Sequence, residues 1–446
     1  MPSRPQSASS RRPASSSPAA PVPAPDSLAR ALLLGAAAVA AVQGGRSLTE
    51  VLAQQARGEL PATRAQAQDL AYGALRRYAW GESVLAPLLQ KPLPEPQLQG
   101  LLLCALYRLE SRPDLSHTVV DQAVAAAATL AKGNFRGVIN GVLRNYLRQR
   151  GELLARAQQS PSSAWWHPDW WLRRLRAAYP GRWEDIAAAG NTQAPMTLRV
   201  NARQGNREEY LQRLAAAEIA ARPVGASALL LEKPVSVDGL PGFFDGAVSV
   251  QDLGAQRAAE LLEAREGQRV LDACSAPGGK TAHILELGGA DLLALDSDPE
   301  RCRRVQENLS RLQLQARVVA ADARRPDTWW DGRPFDRILA DVPCSASGVV
   351  RRHPDSKWLR RDSDIAQFAR VQRQILEALW PTLAPGGRLL YATCSVFPEE
   401  NGGQIKAFLA RHEDARRYPI DGAPELQLLP DDEHDGFYYA LLEKRP

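Results

Sequence analysis

RVLDACSAPGGKT, residues 269–281, is an apolar run that ends near an acid, turns through Pro-Gly-Gly and leaves into a helical pattern. A strand that delivers its carboxyl end into a glycine-rich turn before a helix is the opening unit of a doubly wound α/β sheet. DLLALD, ARVVAAD, DRILADV, RLLYATC and FYYALLE follow as further runs of strand length, with helical stretches between most of them. The expected architecture of residues 251–446 is therefore a Rossmann-like, mostly parallel sheet. In such a sheet, ligands lie beyond the carboxyl ends of the strands.

Two nucleotide signatures fail on this turn. A phosphate loop carries a glycine five residues before the glycine of its Gly-Lys pair, where this chain has Cys274, and the dinucleotide pattern GxGxxG is absent as well. What remains is a close-approach turn made of Cys274, Ser275, Ala276, Pro277, Gly278, Gly279 and Lys280. Asp296 ends the second run, where a carboxylate can accept hydrogen bonds from ribose hydroxyls, Asp322 ends the third and Asp341 the fourth. Acids at successive strand ends suit a ligand with adenosine hydroxyls and a positive centre better than one rich in phosphate. A single such Asp most often caps a turn; the set is harder to dismiss.

The chain has five cysteines, with no CxxC and no histidine pair at zinc spacing, so no metal is expected. An odd count argues against a disulfide framework, and free thiols fit a cytoplasmic location. Cys104 and Cys302 sit in helical patterns and read as small core hydrophobes. Cys344 in DVPCSASG and Cys394 in YATCSVFPEEN each stand before serine at the end of an apolar run, as Cys274 also does. Two thiols in such similar settings invite a shared chemistry.

The 446 residues exceed one ordinary domain. Residues 1–26 are Ser/Pro/Ala-rich and read as a disordered tail. Residues 27–155 repeat apolar positions at helical spacing throughout, including an Ala-rich core helix at ALLLGAAAVAAV, and no segment reaches the roughly 18 apolar residues of a membrane span. The net charge of +5 is unevenly spread: residues 1–150 hold 17 Lys+Arg against 9 Asp+Glu, and residues 151–446 hold 38 against 41. Lys132, Arg136 and Arg144, in a stretch without acids, are candidates for phosphate contact, on a helix whose Val138, Ile139, Val142 and Leu143 read as core. Residues 156–250 form a linker and small α/β adaptor, entered through WWHPDWWLRRL, whose tryptophans read better as a seam between domains than as base-stacking groups. RRHPDSKWLRR, residues 351–361, carries five Lys/Arg against one Asp and reads as an RNA-backbone clamp, with Arg351, Arg352 and His353 closest to Cys344.

DACSAPGGKT, LDSD, ADAR, DVPCSASGVVRRHPD and YATCSVFPEEN together resemble the ordered motifs of the Sun/Fmu (RsmB) family of ribosomal RNA cytosine-5 methyltransferases, and the helical first third resembles that family's NusB-like RNA-binding domain. Ser275 and Ser347 stand where Ala and Thr are expected. The resemblance implies S-adenosylmethionine as cofactor, held by residues 274–280 with Asp296, Asp322 and Asp341, and small-subunit ribosomal RNA as partner; a monomer is the default expectation. It also implies that Cys394 attacks carbon 6 of a cytidine and that Cys344 assists release. The residues alone leave the two thiols interchangeable, since DNA cytosine methylases place their nucleophile in a Pro-Cys motif like that around Cys344. Two rivals stand beside this expectation: a methyltransferase for transfer RNA or protein, and a non-catalytic RNA-binding or antitermination factor, which would need neither the thiol pair nor the cofactor turn.

Overall fold

The computed structural model describes residues 22–55 and 57–446, and the expected tail lies, through residue 21, outside the described residues. The chain divides into two compact units between Ala157 and Gln158.

The first unit is all-helical, with α1 (Leu28–Gln43), α2 (Leu48–Gln55), α3 (Pro61–Arg76), α4 (Tyr78–Leu85), α5 (Pro96–Ser111), α6 (Ser116–Ala127) and α7 (Arg136–Ala157). The Ala-rich run is α1, started by the Ser27 hydroxyl accepting the Arg30 amide at 3.2 Å and buried along Leu32, Ala36 and Val39. Its small side chains let α5 close in: a Cβ at Gly100 would meet the Ala36 carbonyl oxygen at 2.5 Å. Cys104 is buried in this packing. On α7, Ile139, Val142 and Leu143 are core as expected, but Val138 is 40% exposed. The expectation took four apolar residues as one face, whereas positions 138 and 139 point about 100° apart on a helix. No described helix is long and apolar enough to cross a membrane.

The second unit begins with three helices, α8 (Pro161–Trp165), α9 (Asp169–Ala178) and α10 (Trp183–Ala189). The tryptophan-rich stretch is a seam: Trp171, Leu172, Leu175 and Ile186 pack with Val350, Ile365, Val396 and Phe397. Next come β1 (Thr197–Val200), α11 (Arg207–Ala216), β2 (Ala221–Pro223), β3 (Ala228–Leu231) and β4 (Val248–Val250), giving an antiparallel sheet in the order β2-β3-β1-β4. Arg199 of β1 is fully buried, its guanidinium paired with Glu286 at 2.9 and 2.7 Å and also donating to the Gly279 carbonyl at 2.8 Å. That one side chain ties the small sheet to the glycine-rich turn.

The remaining elements are α12 (Leu253–Leu262), β5 (Arg269–Asp272), α13 (Gly279–Gly288), β6 (Asp291–Asp296), α14 (Pro299–Arg311), β7 (Arg317–Ala320), β8 (Phe335–Asp341), α15 (Ser356–Leu359), α16 (Asp362–Leu379), β9 (Leu383–Thr393), α17 (Gly402–Leu409), β10 (Ala415–Tyr418), β11 (Leu426–Leu428) and β12 (Phe437–Lys444). The large sheet runs β10-β12-β9-β8-β5-β6-β7, with β11 also paired to β12. Its five strands β9-β8-β5-β6-β7 are parallel and β12 is antiparallel. The six apolar runs of the sequence are six of these strands. From β5 the chain winds outward to β6 and β7 and then returns to place β8 on the other side of β5. The crevice at that reversal, outside the ends of β5 and β8, is where a doubly wound sheet offers a ligand site.

Candidate active site

A cleft of about 290 Å³ opens at the reversal, lined among others by Cys274, Ala276, Asp296, Asp322, Asp341, Cys344 and Cys394. The topology explains why residues 120 positions apart meet there: β5, β6, β8 and β9 are neighbours and all end on the same edge. Cys344 follows β8 and Cys394 follows β9, and their Sγ atoms stand 3.4 Å apart, in contact but far beyond a disulfide bond.

The turn from β5 to α13 is built as its glycine content implies, but not by both glycines. Gly278 has φ 96°, in the left-handed region, and a Cβ there would meet Val305 at 3.1 Å. Gly279 needs no such exemption; a Cβ on it would meet only Gln251 at 3.6 Å. Asp296 is buried and accepts the Ala276 amide at 3.2 Å and the Asp298 amide at 3.1 Å, so one carboxylate shapes the turn at the rim of the cleft. Asp322 is half-buried, with Arg324 donating at 2.7 Å, and that hydrogen bond holds its carboxyl below the ordinary value. Asp272 Oδ1 and Ser275 Oγ are buried with no hydrogen-bond partner in the protein.

Lys280, from the first turn of α13, donates to Asp341 at 2.5 Å and lies 5.7 Å from the centre of the Phe437 ring. Burial pushes its ammonium down, but the charges of Asp341, Cys394 and Asp272 outweigh that and leave it above the usual lysine value. Cys344 is pushed up: its contact with Cys394, then burial, then the charge of Glu400 raise it well above an ordinary thiol. The Cys344 thiol is thereby disfavoured as an anion.

Asp272, under this turn, is lifted from 3.8 to about 7, by burial first; the Thr281 hydroxyl donating at 2.6 Å counters it, the Asp341 and Asp296 carboxylates add to it, and Lys280 opposes them. A carboxyl raised in the folded state stabilises the fold while protonated, so that contribution is complete below pH 3.8 and is lost as pH climbs to about 7. The Tm of Asp272→Asn relative to wild type, without added ligand, is expected to rise from about pH 5 to about pH 8; a difference independent of pH contradicts this.

Arg351, Arg352 and the following residues do not form the exposed clamp expected of them. Arg351 is 3% exposed, its guanidinium bonded to the buried Asp435 and to the Asp431 carbonyl. Arg352 is bonded to Asp435 and, at 2.8 Å, to Asp252. Lys357 is fully buried on the Trp166 carbonyl at 2.8 Å. The acids that pair with the two arginines come from 83 to 100 positions away, beyond any local charge count. Only His353 of the three expected contacts is exposed, with Arg360 half-buried and Arg361 exposed further along the run. In the first unit, Lys132, Arg136 and Arg144 are exposed.

The sequence did not single out the groups that hold the two cysteine loops. Gly348 donates its amide to the Cys394 carbonyl at 2.9 Å and accepts the Gly436 amide at 2.9 Å, and a Cβ on Gly348 would sit 2.2 Å from the Gly436 oxygen. Ser347, standing where threonine was expected, uses the hydroxyl both residues share: it accepts the Val396 amide at 2.9 Å.

Residues 259–443 match the model of the family described as 16S rRNA methyltransferase RsmB/F, residues 167–238 the RsmF/B-like ferredoxin-like domain, and residues 30–148 the NusB family. The ribosomal RNA small subunit methyltransferase B of Vibrio cholerae is 47% identical over 408 residues, covering 90% of this chain and 94% of that protein. The protein of the same name from Serratia proteamaculans is 46% identical, covering 90% of this chain and 95% of its own. Among solved structures, a methyltransferase homolog protein from Pyrococcus horikoshii superposes with a TM-score of 0.55 at 27% identity, over 61% of this chain and 93% of that one.

Proposed function

This chain belongs to the RsmB/F family of 16S rRNA methyltransferases, enzymes dependent on S-adenosylmethionine, and from that premise we propose that it methylates carbon 5 of a cytidine in small-subunit ribosomal RNA through a covalent bond from Cys394 to carbon 6. The observation that carries this is the thiol pair, 3.4 Å apart at the ends of adjacent strands in the cleft beside Lys280 and Asp341.

The residues of the cleft fit the cofactor. Gly278 lets the turn close against Val305, Asp296 and Asp322 offer carboxylates to hydroxyl and amino groups, and Asp272 Oδ1 and Ser275 Oγ are buried polar atoms without protein partners. When bound, S-adenosylmethionine supplies a methyl group made electrophilic by its sulfonium. Carbon 5 of cytosine is a poor nucleophile, and a thiolate adding to carbon 6 turns the ring into an enamine able to accept that methyl. Cys394 adds to carbon 6 as the thiolate and, once a solvent water has taken the carbon 5 proton, the C6–S bond breaks and the thiolate is released, with the Cys344 thiol, 3.4 Å away and raised above an ordinary thiol, hydrogen-bonding the departing sulfur. Asp341, fixed by Lys280, is the group placed to accept the cytosine amino hydrogen. Such a base must be unstacked to enter, which favours a loop or single-stranded nucleotide, and Lys132, Arg136, Arg144 and His353 are exposed groups that could meet RNA.

The test is transfer from labelled S-adenosylmethionine to unmodified small-subunit ribosomal RNA, with nucleoside digestion. Label in 5-methylcytidine supports the proposal. Label in another nucleoside, in transfer RNA alone or in protein returns the rival substrates, and no transfer at all favours a binding factor.

A further inference from the structure

Each of the two cysteines is followed by a serine, and both serines end on one carboxylate. Glu400 lies in a short 3-10 turn after β9 and is fully buried. Its Oε1 accepts the Ser345 amide at 2.8 Å and the Gln372 side chain at 3.1 Å; its Oε2 accepts the Ser345 hydroxyl at 2.5 Å and the Ser395 hydroxyl at 2.6 Å. The Glu400 carbonyl takes the Tyr391 hydroxyl at 2.6 Å, which anchors the turn to β9 itself. Among the described residues no lysine, arginine or histidine pairs with this carboxylate.

A buried carboxylate without a cation is costly, and apolar side chains of the same volume would fill the space at less expense. Four donors converging on it offset that cost, and two of them, Ser345 and Ser395, are 50 positions apart in the chain. The loops they belong to emerge from different strands, so register within the sheet does not by itself fix one loop against the other. Direct bonds, Gly348 to the Cys394 carbonyl and Val396 to the Ser347 hydroxyl, join the loops, and Glu400 adds a bond to the serine beside each sulfur. Its charge lies on the Cys344 side, where it is one of the groups opposing ionisation of that thiol.

We propose that Glu400 is a positioning residue for the thiol pair, clamping the Ser345 and Ser395 loops together so that Cys344 and Cys394 stand in contact. The serine after each cysteine is then the handle by which the loop is held, which accounts for the repeated Cys-Ser. This rests on the thiol chemistry proposed above, and its test separates the two.

A small trivalent arsenical bridges two thiols only when they are adjacent, so its stoichiometric capture through Cys344 and Cys394 reads their contact independently of methylation. Glu400→Ala is expected to lose that capture and to lower kcat on the order of 100-fold, the scale of a misplacement near 1 Å, with the KM for S-adenosylmethionine within about twofold of wild type. Glu400→Gln keeps the shape and can still accept at one position and donate to a serine oxygen at the other; it is expected to retain capture and to lose less than about tenfold in kcat. If Glu400→Ala does not fold, Ser395→Ala, which removes one arm of the clamp, takes its place with the same expected direction. Retention of both capture and kcat by the folded clamp variant overturns the proposal. A wild type that captures the arsenical but methylates no cytidine defeats the proposed function and leaves the role of Glu400 to be judged on capture alone.

Discussion

Cys394→Ala is expected to abolish methyl transfer, while Cys344→Ala accumulates protein bound covalently to its RNA. On the proposed mechanism, removing the nucleophile costs on the order of 10⁴-fold or more, because its addition to carbon 6 is the step that makes carbon 5 reactive. Cys344 cannot substitute for it. Contact with Cys394, burial and the Glu400 charge raise Cys344 well above an ordinary thiol. Losing Cys344 leaves the attack intact and removes the hydrogen bond that helps sulfur depart, so the adduct persists and appears as a slow band with labelled RNA on a denaturing gel. An active Cys394→Ala, or an adduct in that variant, reverses the roles.

Arg199→Ala is expected to destabilise the second unit by about 3–5 kcal/mol, because it strands Glu286 inside the protein. Both side chains are essentially unexposed, at 0% and 1%. Burial already pushes the Glu286 carboxyl up, and Arg199 is what pulls it back. Without the arginine the carboxyl titrates higher, so the loss of stability should deepen as pH rises through that raised value. Arg199→Met with Glu286→Leu, which removes both charges, is expected to recover most of the loss. Denaturant unfolding of the two variants decides it: equal destabilisation of single and double variants would mean that packing, not the ion pair, holds the small sheet to the glycine-rich turn. Because Arg199 also holds the Gly279 carbonyl, both variants should bind S-adenosylmethionine more weakly than wild type, even where the double variant recovers stability.

Much of the catalytic half is legible in the sequence because its signals are local. A parallel strand buried on both faces must be an apolar run, and RVLD, DLLALD and RILAD are such runs. The acids and cysteines at their ends follow directly. What escaped is what long-range pairing decides. RRHPDSKWLRR looks like a solvated basic loop until Asp435, Asp252 and the Trp166 carbonyl arrive from elsewhere in the chain to bury Arg351 and Lys357 and to pair Arg352. PEEN looks like a turn, and nothing in its composition says that Glu400 points inward to two serines while Glu399 faces Arg174 at 2.6 Å. The weak strands β10 and β11 are short and polar in the middle, and they exist because β12 gives them an edge to pair with. Gly348 and Gly436 are ordinary glycines until their backbones are seen to touch.

The most direct measurement uses RNA in which the target cytidine carries fluorine at carbon 5, so that the last proton cannot leave and the intermediate is retained. Incubated with wild-type protein and labelled S-adenosylmethionine, then digested and sequenced by mass spectrometry, the complex should show one modified peptide, that containing Cys394, joined to a nucleotide that carries the transferred methyl. A nucleotide on the peptide containing Cys344, or a methylated RNA released with no peptide attached, would contradict the thiol assignment on which the mechanism stands.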